Sequence, residues 1–200
     1  MNIQNLFPTP IGFFEYGKTL SEEELLFINS LDKRPNRGNM TSANNYVLRD
    51  PSLTSLRSFI EDCVVDYFKS VTNPKHNVNL RLTQSWFNYS ESGDYHHRHA
   101  HPNSYISGVF YVQTNADDRI YFYRPGWQQI KFTPEEWNIY NSENWWFEAT
   151  SGKLILFPSW LEHMVPTVQV GKTRISLSFN TFPVGIIGEE VELTGLHLEA

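Results

Sequence analysis

The amino-acid sequence changes character at Pro74, and this change constrains the fold more than any other feature. Before Pro74, apolar residues recur at intervals of three and four. After it, aromatic and β-branched runs are separated by Gly, Pro, Asn and Asp. Helices therefore come first and strands follow, without the alternation that builds a parallel sheet. The order predicts a mainly β (α+β) protein, with N-terminal helices packed on one face of an antiparallel sandwich or barrel.

Two helices are predicted in the N-terminal part. Ser21 stands three residues before Glu24, the spacing of a capping box, and Leu25, Ile28 and Leu31 follow on one stripe. Between residues 51 and 71 the apolar side chains again share one face, which predicts a longer helix ended by Asn73 and Pro74.

Seven strands are predicted after the helices. We expect one domain over residues 1–200, with a helical part (1–74) and a β core (75–200). The long connection 124–144 is the candidate lid or substrate loop. The predicted strands are 80–89, 105–113, 119–123, 145–149, 153–157, 164–170 and 174–182.

Composition excludes several classes of function. The net charge of −6, without a block of like charge, argues against a nucleic-acid or anionic-membrane surface. No apolar run reaches the ~20 residues of a membrane span, and the first residues lack the pattern of a signal peptide, so we expect a cytoplasmic protein. Cys63 is the only cysteine, so histidine and carboxylate must carry most of any metal site. The expected partner is a small molecule or a specific protein, and a homodimer is compatible with the sequence.

Four histidines lie within six residues in "HHRHAH", at His96, His97, His99 and His101. Such a cluster is either a solvated polar loop or a metal site, because neutral imidazole is a common metal ligand. Residues i and i+2 of a strand share a face, so His97 with His99, or His99 with His101, can bind one ion. Geometry alone does not choose between these pairs.

Two later segments complement the cluster. The stretch "GKLILFPSWLEHMV" places His163 at the start of a strand, 62 residues beyond His101, where it can complete a set of three ligands. In "TRISLSFN", Arg174 and Ser176 share a strand face and offer a guanidinium and a hydroxyl to a carboxylate.

In these segments the chain resembles the double-stranded β-helix (jelly-roll, cupin-like) oxygenases that use Fe(II) and 2-oxoglutarate, in particular a prolyl-hydroxylase-like branch. That family carries His-x-Asp, a distal His and then Arg-x-Ser/Thr. The resemblance implies a hydroxylase that forms succinate and CO2 as co-products. The phrases that carry it run from residue 6 to residue 180 and are "LFPTPI", "HAHPNSYISGVFYV", "GKLILFPSWLEHMV" and "RISLSFN".

The resemblance also implies roles for individual residues. Members often place a glycine six residues before the first ligand, and Gly93 stands six before His99. This makes His99, His101 and the distal His163 the metal ligands. Arg174 and Ser176 would hold the far carboxylate of 2-oxoglutarate, with help from Tyr111 in "SGVFYV". The roles that remain for His96 and His97 are to line the site as polar residues, to buffer protons or to contact the ligands; simple exposure to solvent is an equal alternative for both.

One position departs from the family pattern. His101 stands where most members have Asp or Glu. Asp94 and Glu162 are the nearby carboxylates that could restore a two-histidine, one-carboxylate set, and both rank below His101. An alternative is a cupin-like dioxygenase, isomerase or hydrolase that uses three histidines without 2-oxoglutarate. A third reading is a binding protein on a jelly-roll scaffold.

Overall fold

The computed structural model describes residues 1–126, 130 and 132–199. The helices are α1 (Glu22–Ser30) and α2 (Thr54–Thr72), and 3-10 turns at Val47–Arg49 and Pro51–Leu53 lead into α2. The described strands are β1 (Gly12–Glu15), β2 (Lys33–Pro35), β3 (Met40–Ser42), β4 (Val78–Ser90), β5 (His96–His99), β6 (Ile106–Gln113), β7 (Arg119–Tyr123), β8 (Asn144–Glu148), β9 (Lys153–Pro158), β10 (His163–Val165), β11 (Arg174–Ile187) and β12 (Leu196–Leu198).

The strands form two antiparallel sheets. The larger has the order β1-β9-β6-β11-β4-β3-β2, with β12 paired to the end of β11, and the smaller has the order β5-β10-β7-β8. Apolar side chains of both sheets, including Val109, Ile120, Phe122 and Phe157, form a core cluster between them. The predicted fold class, a jelly roll with N-terminal helices, is confirmed.

The helices cover the outer face of the larger sheet. The predicted capping box is present: Ser21 Oγ accepts from the Glu24 backbone N–H, and the Glu24 carboxylate accepts from the Ser21 N–H. The apolar stripe of α2, which includes Leu56 and Ile60, is fully buried against outward-facing sheet residues such as Phe110. None of the described helices has both the length and the apolar run that a bilayer crossing requires.

The predicted strands agree with the structure in position but not always in length. The strand predicted at 119–123 has those bounds, the one at 174–182 extends to Ile187, and the one at 164–170 is reduced to His163–Val165. The sequence did not predict β1, β2, β3, β5 and β12, each of three or four residues. Strands this short have little alternation of their own and form because a neighbouring sheet edge offers them hydrogen bonds.

Three long strands of the larger sheet present polar residues towards the smaller sheet. Ser176 of β11 lies directly between Asn88 of β4 and Tyr111 of β6 in the hydrogen-bond ladder. Arg174 stands two residues away on the same face. The interior is therefore apolar around β9 and polar around β11, and the polar part faces the histidines of the smaller sheet.

Candidate metal centre and cosubstrate pocket

Strands β5 and β10 of the smaller sheet, together with the segment that follows β5, bring three imidazoles close to one another. His99 of β5 and His163 of β10 are direct cross-strand partners. His101 lies just beyond the end of β5, where its backbone N–H donates to the Ser159 carbonyl. The possible ligand atoms of the three histidines all lie within 4.8 Å of one another, and the Nε2 atoms of His99 and His101 are 3.2 Å apart.

Hydrogen bonds fix the tautomer of each imidazole. Nδ1 of His99 lies 2.7 Å from the His97 carbonyl, and Nδ1 of His163 lies 3.1 Å from the Leu161 carbonyl. Nδ1 of His101 lies 2.6 Å from Oδ1 of Asn180. A carbonyl oxygen can only accept, so Nδ1 carries the hydrogen in all three rings. Each Nε2 is left with a free lone pair, the form in which imidazole binds a metal.

The spacing of the lone pairs fits a shared cation. Nitrogens about 2.1 Å from one ion are about 3.0 Å apart on neighbouring octahedral corners and about 3.4 Å apart in a tetrahedron. The observed 3.2 Å between His99 and His101 lies in this range. Two lone pairs at this distance repel each other unless a cation lies between them, so the donor set suits a metal ion.

Burial keeps these histidines neutral. It lowers the pKa of His101 to about 4, lowers that of His99, and holds that of His163 well below the ordinary value. Neighbouring imidazoles act in the same direction, because a second positive charge nearby disfavours protonation. At neutral pH the site therefore offers uncharged ligands without first losing protons.

The two alternative carboxylates lie elsewhere. Asp94 belongs to a turn, where its Oδ2 accepts from the Glu91 backbone N–H at 2.9 Å. Glu162 forms an ion pair with Arg98, and both side chains are more than 40% exposed. Among the described residues, neither acid joins the group of ligand atoms that contains His101.

His96 and His97 border the candidate centre. The pairing of β5 with β10 shifts by one residue between His99 and His96, and both of these side chains line the internal cavity. The His96 ring stacks on His99 with centroids 4.5 Å apart, and burial lowers its pKa to about 3. His96, His97 and His99 form a second group whose possible ligand atoms lie within 4.8 Å of one another, so His99 belongs to both groups. The polar-lining role expected for His96 agrees with this position.

A buried arginine lies beside the histidines. Arg174 is 3% exposed, and its guanidinium carbon lies 5.3 Å from the centre of the Tyr111 ring. Its Nε is 3.7 Å from Oδ2 of Asp118, which is also buried. Arg174 and Ser176 line the same cavity as the three histidines. The structure thus places the predicted carboxylate fork in the cavity that holds the predicted ligands.

Several polar atoms in this pocket have no hydrogen-bond partner within the described part of the chain. They are Arg174 Nε, the Tyr111 hydroxyl and Asn88 Oδ1. Burial raises the pKa of Tyr111 to about 12, so its hydroxyl remains a donor. Buried polar groups rarely stay unpaired, so the two donors among these atoms, Arg174 Nε and the Tyr111 hydroxyl, suit an anionic ligand such as a carboxylate.

Asn88, Asp118 and Asn180 were not identified from the sequence. Asn88 Nδ2 donates to Ser178 Oγ at 3.0 Å, and both residues line the cavity. In the sequence, Ser176, Ser178 and Asn180 alternate with apolar residues. That alternation is the one indication that this strand carries a polar inner face.

The connection 124–144 joins β7 to β8. Residues 127–129 and 131 of the predicted lid lie outside the described residues. In its described part, the Arg124 guanidinium donates to the carbonyls of Ile139 and Tyr140. Exposed side chains of this connection and of the N-terminal segment border a groove whose walls include Phe122 and Leu161.

Fold and site together define a jelly-roll protein in which three grouped histidines share a cavity with a buried arginine. Residues 84–180, which contain every proposed ligand, match the family described as "Putative 2OG-Fe(II) oxygenase". The family that this segment matches is the one that the sequence resemblance predicted. The description of this family names Fe(II) and 2-oxoglutarate, the two cofactors expected from the sequence. No protein of curated function matches the sequence.

Solved structures share the fold at low sequence identity. A prolyl hydroxylase from Trichoplax adhaerens, in complex with a hypoxia-inducible-factor peptide, has a TM-score of 0.60 at 12% identity, covering 86% of this chain and 83% of its own. HygX from Streptomyces hygroscopicus, with nickel, 2-oxoglutarate and hygromycin B bound, has a TM-score of 0.59 at 13% identity, covering 86% and 82%. A prolyl-4-hydroxylase from Pseudomonas putida has a TM-score of 0.58 at 12% identity, covering 87% and 94%.

Proposed function

We propose that this oxygenase is a hydroxylase that binds Fe(II) through His99, His101 and His163 and releases succinate and CO2 as co-products. The observation that carries the proposal is the grouping of three histidine ligand atoms, all within 4.8 Å of one another, in the cavity that also holds a buried arginine. A metal site alone would not need Arg174, and an anion site alone would not need three imidazoles with their lone pairs directed together.

The protein's own residues have distinct tasks in this proposal. When bound, Fe(II) and 2-oxoglutarate would activate dioxygen, which is the oxidant: one of its oxygen atoms goes to succinate and the other to the hydroxylated product. Arg174 and Ser176 hold the far carboxylate of the cosubstrate, and the Tyr111 hydroxyl donates a further hydrogen bond. Apolar walls, including Val109 and Phe157, exclude water, which strengthens these polar contacts.

The imidazole at position 101 changes the charge of the centre. Two histidines and an aspartate with Fe²⁺ and dianionic 2-oxoglutarate have a net charge of about −1, whereas three neutral histidines leave it near zero. Burial keeps His101 uncharged, so the site stays near this value at neutral pH. We expect a higher metal reduction potential than in a carboxylate-containing site, with dioxygen chemistry still accessible.

The substrate belongs to one of two classes in this proposal, a small molecule or a protein side chain. HygX binds hygromycin B and the prolyl hydroxylase from Trichoplax adhaerens binds a peptide, so the shared fold accommodates both. The groove beside the 124–144 connection borders Leu161, whose carbonyl accepts from His163. Substrate bound in this groove would lie next to the metal centre.

The test is an anaerobic titration of the Fe(II)-loaded protein with 2-oxoglutarate, following the weak visible charge-transfer band of the chelate. We expect the band in the wild type and at least tenfold weaker 2-oxoglutarate binding in Arg174→Met, because a buried charge-assisted contact is lost. The matched control is Arg57→Met on the exposed face of α2, where Arg57 forms an ion pair with Glu61.

The outcomes separate the candidate functions. If iron binds to the wild type and no band develops, the cosubstrate assignment is wrong and a three-histidine enzyme without 2-oxoglutarate replaces it. If the band forms, turnover under oxygen with candidate peptides and aminoglycosides should release succinate, and mass spectrometry should find one added oxygen atom in the true substrate. If no iron binds, the protein is a binder on a jelly-roll scaffold.

A further inference from the structure

We infer that Asn180 is the positioning residue that makes His101 a metal ligand, and that it does so through a buried network of hydroxyl groups. The inference rests on the proposed function, because it assigns a role to Asn180 only through the proposed ligand His101. It explains how an imidazole is held at the position where the family pattern has a carboxylate.

Asn180 is the side chain that orients His101. Its Oδ1 lies 2.6 Å from His101 Nδ1 and also accepts from Ser107 Oγ at 2.9 Å. Asn180 and Ser107 are direct cross-strand partners in β11 and β6, so the sheet fixes their separation. With two donors on the same oxygen, the amide cannot rotate without losing both bonds.

The network continues away from the metal centre. Ser107 Oγ lies 2.8 Å from Ser159 Oγ, and Ser159 in turn donates to Ser104 Oγ at 2.7 Å. Ser107 and Ser159 have no exposed surface. The Ser159 carbonyl also accepts from the His101 backbone N–H, so one network holds both the ring and the backbone of this residue.

The other two candidate ligands are held differently. In the described structure His99 and His163 donate Nδ1–H to backbone carbonyls, those of His97 and Leu161. Substitution of a side chain cannot remove those acceptors. Only at position 101 does the tautomer depend on a side chain, and without an acceptor at Nδ1 the ring can carry its hydrogen on Nε2, which blocks metal binding.

The test uses Co(II) alone, without cosubstrate, and measures its dissociation constant from the visible absorption spectrum. Asn180→Leu should weaken Co(II) binding on the order of 10- to 100-fold, the usual effect of removing the hydrogen-bond partner of a metal-bound histidine. Asn180→Asp keeps an acceptor oxygen in place and should retain at least wild-type affinity. The control Thr181→Val removes a buried hydroxyl that, among the described residues, bonds to the backbone groups of Ile106, and it should leave affinity unchanged.

A double-mutant cycle distinguishes positioning from a general loss of stability. In a His101→Ala background, Asn180→Leu should cause no further loss of Co(II) affinity, because it has no ligand left to orient. The inference is overturned if Asn180→Asp binds more weakly than wild type, or if Asn180→Leu has the same effect with and without His101. If His99→Ala and His163→Ala leave Co(II) binding intact, the proposed ligand set itself fails.

Discussion

The buried histidines should make the metal-free protein unstable in mild acid, and His101 allows the size of the effect to be worked out. Its folded-state pKa of about 4 lies below the ordinary 6.5, because burial disfavours the charged ring. The unfolded chain therefore binds the proton more readily. The contribution to stability is complete above pH ~6.5 and is lost as the pH falls towards 4. By proton linkage, lowering the pH from about 7.5 to 5 removes about 2 kcal/mol through His101 alone.

The assay is urea unfolding of the chelator-treated protein at the two pH values, followed by tryptophan fluorescence. His101→Gln should reduce the pH sensitivity by about 2 kcal/mol, whereas His197→Gln, at a side chain that is 69% exposed, should leave it unchanged. Saturating Zn(II) should steepen the wild-type dependence, since the imidazoles must be unprotonated to bind the ion. Equal pH sensitivity in wild type and His101→Gln would refute the reasoning.

Two further predictions concern the pocket and the sheet that carries it. Asp118→Asn leaves the buried Arg174 without its counter-charge and should destabilise the protein by about 3 kcal/mol. Addition of 2-oxoglutarate should raise the melting temperature of this variant more than that of the wild type. An equal rise in both proteins would contradict the pairing of Asp118 with Arg174. Gly108→Ala would bring a methyl group against Phe179 and within 2.7 Å of Leu156 across the larger sheet. We expect the free energy of unfolding, measured in urea, to fall by about 1–3 kcal/mol. An unchanged midpoint would show that the strands beside Gly108 can move apart to accommodate the methyl group.

Local sequence patterns predicted the long elements correctly. The capping box at Ser21, the apolar stripe of α2 and the alternation in β11 are each determined by residues close together in the chain. Strands of three or four residues, such as β3 and β5, lie below the length at which alternation is recognisable. They form because the edge of a neighbouring strand is available, and this depends on distant parts of the chain.

In the candidate site, too, some features followed from the local sequence and others depended on distant parts of the chain. Spacing and resemblance identified His99, His101, His163 and Arg174 as candidates, and the fold brings all four to one cavity. Spacing could not choose between His97 and His101 as the partner of His99. In the structure His99 belongs to two groups of possible ligand atoms, one with His101 and His163 and one with His96 and His97, and the first group is the one that includes the distal histidine.

The sequence by itself determined the order of helices and strands, the ligand types and the absence of a disulfide, because these follow from residue identity and short-range periodicity. Only the tertiary structure decided which atoms meet. In the folded protein Asp94 and Glu162 lie away from the centre, and Asp118 pairs with Arg174. Asn180 contacts His101, although 79 residues of sequence separate them. Such contacts join strands that are far apart in the chain but adjacent in a sheet, and the register between strands depends on the packing of the whole core.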